Sequence, residues 1–175
     1  YDVYLRTLTS RRDIEKINST IEMARSVFGD DRTIWQLYLG ALAQTRSIGD
    51  PFAMDKASEA HNLFPESKNI FTLYKWLTYG QDRVNRAAQA SVRANELYNN
   101  GNYEEASIQF AEALDLDPLE SGYGLNAGLS NFEAKDYKSA INFFNIVIPS
   151  KNKENSLRAM RFKAPVSYTH LTLPT

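Results

Sequence analysis

The chain of 175 residues contains no cysteine. Disulfides, thiolate metal sites and cysteine nucleophiles are excluded together, and the compartment stays open between a reducing cytoplasm and an oxidising periplasm. Histidine is nearly absent. Of the two present, His170 lies in an unusual C-terminal string and His61 stands alone on an alanine-rich stretch, where it reads as structural or surface. No apolar run approaches the roughly 18 residues of a membrane-crossing helix, so no membrane span is expected. No signal-peptide pattern is visible, and the chain starts at Tyr1 rather than Met. Net charge is only −1, which argues against nucleic acid, because phosphate binding needs a basic footprint. The P-loop, dinucleotide-binding, HExxH and GxSxG motifs are all missing. No spacing supports a nucleophile, base and orienting acid. No catalysis, cofactor or metal is therefore expected from this stretch of chain.

What is present is helical pattern. In residues 1–80, Ile14, Ile17, Ile21, Ala24 and Phe28 recur at helical spacing, the mark of one buried face. Ser10 and Asp13 resemble a capping box before this helix, and Gly29 ends it. A second helix is expected over about 32–46, with Trp35, Leu39 and Leu42 inward. Asp50-Pro51 reads as an N-cap and first-turn proline for a third, which closes near Pro65. A fourth runs about 69–79. Residues 82–100 then form one uninterrupted helical stretch.

The second half repeats itself. Shifted by 34, Ala94 pairs with Gly128, Tyr103 with Tyr137, Ala106 with Ala140, and Phe110 with Phe144. Small residues at Ala94, Gly128, Ala106 and Ala140 suit close helix crossings. Tyr103 and Phe110 suit the wedge between hairpins. Asn102 and Glu105 suggest a capping box, Asp136 an N-cap, and Pro118 a hairpin end. The expected hairpins pair 87–100 with 102–116, and 121–134 with 136–148.

The period, with Ala106, Phe110, Ala113 and Pro118 in order, resembles the tetratricopeptide repeat (TPR). The resemblance covers residues 81–154 as two clear repeats. Residues 1–80 read as degenerate hairpins of the same kind, and 155–164 as the start of a third, truncated repeat. It departs where the first helix should carry a large aromatic: Ala90 and Gly124 stand there. The final eleven residues, 165–175, read PVSYTHLTLPT and resemble translated sequencing-adapter read-through. This string breaks the helical pattern and is set aside as a non-native tail.

The resemblance implies an all-α fold of antiparallel helical hairpins stacked as a right-handed α-solenoid. It implies a scaffold or adaptor whose concave groove takes a peptide or partner helix. Two alternatives imply the same module: a regulatory or substrate-binding segment of a larger enzyme, and a cell-envelope or secretion-linked repeat protein. In the family's carboxylate clamp, two asparagines match Asn95 and Asn126. Ser91 stands where the first lysine belongs, and the last two clamp positions fall near Ser156 and Met160. The expected groove is Asn95, Tyr98, Asn126, Leu129 and Phe132. Eight acidic residues and no Lys or Arg lie from Glu96 to Glu133, which favours a neutral or basic segment.

Overall fold

A computed structural model describes residues 2–172. Ten α-helices and no strand occur among the described residues: α1 (Asp2–Ser10), α2 (Ile14–Phe28), α3 (Arg32–Thr45), α4 (Pro51–Leu63), α5 (Lys68–Tyr79), α6 (Gln81–Asn99), α7 (Tyr103–Leu116), α8 (Ser121–Glu133), α9 (Tyr137–Val147) and α10 (Lys153–Thr172). No described helix is long and apolar enough to cross a membrane. Most helices open on a side-chain cap that takes an orphan backbone N–H. The Asp13 side chain accepts from Lys16 N, Asp31 from Thr33 N and Ile34 N, and Asp50 from Ala53 N with Pro51 in the first turn. Asp136 accepts from Ser139 N in the same way.

Two capping boxes expected from sequence are not formed. Ser10 belongs to the end of α1, a helix the sequence reading did not predict, and its hydroxyl donates to Thr7 O at 2.8 Å. Asp13 alone caps α2. Asn102 makes no side-chain cap bond. Its backbone N–H, which a capping box would give to Glu105, instead donates to Leu97 O at 2.9 Å. A third expectation also fails. α10 does not break at the C-terminal string but runs through Pro165 to Thr172, and Val166 is fully buried. Residues 173–175 of that string lie outside the described residues.

The chain divides into two compact units, Tyr1–Gln81 and Asp82–Thr175. In the first, α1 packs on α2 and α3, and α3 packs on α4 and α5. Ile17, Ile21, Trp35, Leu39, Leu42 and Ile70 fill its core at 1% exposure or less. Arg25 ties three helices together. Its guanidinium lies 4.4 Å from the Trp35 ring centre, 2.8 Å from Asp30 and 3.2 Å from Glu59. Trp35 Nε1 donates to the same Asp30 oxygen at 3.1 Å, so the cation and the indole share one carboxylate.

In the second unit, α6 runs antiparallel along α7. Arg83 donates to Asp115 O at 2.7 Å, Arg93 to Gln109 at 3.1 Å, and the Tyr98 and Tyr103 rings meet edge-on at 5.1 Å. α8 packs on α7, α9 and α10, and α9 packs on α10. Ala94, Ala106, Phe110 and Ala127 form one buried cluster; Leu125, Ala140, Phe144, Val147 and Val166 belong to another.

The same turn closes three hairpins. After α6, Gly101 N donates to Tyr98 O at 3.0 Å and Asn102 N to Leu97 O at 2.9 Å. After α8, Lys135 N donates to Phe132 O at 3.0 Å and Asp136 N to Asn131 O at 2.9 Å. After α1, Arg12 N donates to Thr9 O at 3.0 Å and Asp13 N to Leu8 O at 3.1 Å. This is the Schellman pattern, which needs a left-handed residue at its penultimate position. Gly101, Lys135 and Arg12 occupy it with φ of 80°, 63° and 54°.

Candidate functional site

Small residues line the buried helix contacts of the second unit. Ala94, Ala106, Ala113 and Ala140 have no exposed surface. Gly128 faces the Phe144 ring, and Gly124 faces Val147 and Leu114. A Cβ at Gly124 would lie 2.9 Å from Val147 Cγ2, which explains why no aromatic stands there. Tyr137 pairs with Phe132 at 5.8 Å, the counterpart of Tyr103 with Tyr98. Pro118 lies exposed in the turn between α7 and α8.

The five candidate groove residues occupy the first helices of the two hairpins. On α6, Asn95 is exposed, and its Nδ2 donates to Ser91 O at 2.8 Å, one turn back on its own helix. Its side-chain oxygen is the acceptor left for a ligand N–H. Tyr98 is half-buried beside the buried cluster around Ala94. Burial raises its phenol above the ordinary range, and the carboxylate of Glu133 on α8 adds to the shift. On α8, Asn126 is half-buried; its carbonyl accepts from Ser130 Oγ at 2.8 Å.

Leu129 and Phe132 differ from expectation. Both are half-buried and pack against the cluster of Phe144 and Ala159. The rings of Phe132 and Phe162 stand 6.5 Å apart, so α10 packs beside this part of α8. Of the clamp positions on α10, Ser156 is buried, with its hydroxyl donating to Ile148 O. Met160 is 47% exposed.

Sequence reasoning missed two features. Asn131 is buried and donates through Nδ2 to both Ser107 Oγ and Ala127 O, joining α8 to α7. The second is a groove of about 440 Å³ between α1 and α3, lined by Arg6, Ser10, Gln36, Leu37, Gly40 and Gln44. Its signal was legible. Gln36, Gly40 and Gln44 recur every four residues, a polar stripe on a helix whose other faces are apolar. A Cβ at Gly40 would meet nothing within 4 Å.

Acidic groups gather at the other end of α8. Tyr123 is pushed up to about 12, first by burial and then by the charges of Asp117 and Glu120. Among the described residues, no group of three or more His, Asp or Glu side chains is placed to hold a metal ion. Compared with protein-family models and with curated proteins, the chain matches none.

Proposed function

We propose that this chain is a TPR-type repeat module whose work is to hold another protein. It would bind an extended peptide or partner helix across the first helices of its hairpins. The observation that carries the reading is the recurrence, 34 residues apart, of one hairpin turn. Leu97, Tyr98, Gly101 and Asn102 make the same two backbone hydrogen bonds as Asn131, Phe132, Lys135 and Asp136. A period in backbone hydrogen bonding, beside a period in small and aromatic residues, is what stacked identical units require.

On this reading Asn95 and Asn126 hold the backbone of the bound segment, because an amide side chain both donates and accepts. Tyr98 supplies an apolar flank. The absence of Lys at Ser91 leaves a terminal carboxylate without its first cationic partner. Glu133, close enough to oppose ionisation of Tyr98, favours a neutral or basic segment.

The test is a peptide library selected against residues 1–172, with affinities measured for wild type and for Asn95→Ala with Asn126→Ala. The double change should weaken selected peptides by about tenfold or more, equivalent to about 1.4 kcal/mol, at unchanged melting temperature. Peptides bound undiminished by the folded double variant would move the binding surface elsewhere, first to the groove between α1 and α3.

A further inference from the structure

Of fourteen asparagines in the chain, Asn100 is the one followed by glycine. We propose that Asn100 is a site of spontaneous covalent modification, in which it cyclises with the backbone nitrogen of Gly101 and opens to aspartate and isoaspartate. Gly101 N, having lost its proton, attacks Cγ of Asn100. The bond from Cγ to Nδ2 breaks and ammonia leaves. Water then adds to either carbonyl of the five-membered succinimide. Opening on one side gives aspartate; opening on the other routes the main chain through the former side chain. The only co-reactant is water. The net change is loss of ammonia and gain of a carboxylate.

Three observations place the chemistry here. Asn100 and Gly101 are both exposed, so water and base reach them. Gly101 carries no Cβ to hinder ring closure, and the space beside its Cα is open: outside its chain neighbours, an added Cβ would meet nothing within 4 Å. The pair also lies just past the end of α6, where helices fray first. One feature works against the reaction. Gly101 N–H is engaged by Tyr98 O at 3.0 Å and must be released before it attacks. Conversion in the folded protein therefore waits on opening of the turn and is slower than in a free peptide.

The turn after α8 is a built-in control. It has the same two hydrogen bonds but carries Ala134 and Lys135 at the equivalent positions, where this chemistry is impossible. The product matters to the hairpin. A carboxylate at the C-terminal end of α6 opposes the helix macrodipole. The isoaspartyl form lengthens the backbone by one methylene. The bonds to Tyr98 O and Leu97 O then no longer close together, and the contact of Tyr98 with Tyr103 loses its anchor.

The experiment incubates the whole chain at pH 8.5 and 37 °C, beside a synthetic peptide of residues 97–104, and locates modified residues by tandem mass spectrometry. The expected result is the mass change of ammonia replaced by water at Asn100, resolved into two chromatographic species, before any other asparagine reacts and more slowly than in the peptide. Gly101→Ala should abolish this change on the same timescale, although it loosens the turn. The proposal is overturned if Asn100 is intact when the peptide has fully converted. It is equally overturned if another asparagine converts first, or if Gly101→Ala converts as fast as wild type.

Discussion

A Cβ built on Gly128 would lie 2.5 Å from Cε1 of Phe144, closer than any real packing permits. Phe144 is fully buried, so its ring cannot swing aside. The hairpin of α8 and α9 therefore closes on a contact between a missing side chain and a large one.

Packing predictions follow from that contact. Gly128→Ala and Ala140→Leu should each cost roughly 1–3 kcal/mol through overpacking, although alanine raises helix propensity at position 128. Glu112→Gln on the exposed face of α7 should cost under about 0.5 kcal/mol. Denaturant titrations of the three variants check this. Equal costs would mean the repeat register is wrong.

The shared turn makes an opposite prediction for two equivalent positions. Lys135 holds φ of 63°, a conformation that costs a side-chain-bearing residue about 1 kcal/mol or more. Lys135→Gly should recover up to about 1 kcal/mol. Gly101→Ala, at φ of 80° with no steric neighbour, should lose a similar amount. Thermal melts of the two variants should move in opposite directions.

Stability should fall at both ends of the pH scale, for different reasons. Asp136, held by Ser139 below the ordinary value of 3.8, favours the folded state when ionised. Its contribution is present above that value and is lost as pH drops through the lower folded one. Asp136→Asn keeps a capping oxygen and should flatten the acid limb. Tyr38 is raised from 10.0 to about 12, first by burial and then by Glu22. The unfolded phenol ionises first, so stability drops as pH climbs from 10 through 12. Tyr38→Phe should lose the 2.8 Å bond to Asn18 at neutral pH but resist alkali better. Melting temperatures from pH 3 to 11 read both effects.

The C-terminal string gives a direct test of its place in the fold. Ending the chain after Ala164 removes Val166, which is buried in the cluster of Phe144 and Ala159. The loss should be about 1–2 kcal/mol, less than full burial of a valine because the helix end no longer needs ordering. An unchanged melting temperature would assign residues 165–175 to read-through with no part in the structure.

The sequence by itself determined the helices with strong signals. Ile14, Ile17 and Ile21 marked the buried face of α2, Asp50-Pro51 marked the start of α4, and the 34-residue match paired Gly128 with Ala94. These are local facts of period, cap and side-chain volume, written in neighbouring residues. Helix α1 escaped notice because nine residues carry only Leu5 and Leu8 on the inner face, too few to show a period. Tertiary structure alone decided the rest. Whether Leu129 and Phe132 are open or covered depends on where α10 packs, about thirty residues later. Whether Glu105 completes a capping box depends on whether the Asn102 N–H is already spent on Leu97. The first turns on competition for one surface between segments that the sequence places apart, the second on competition for one donor between the helices on either side of a turn, and only the folded chain settles which partner takes it.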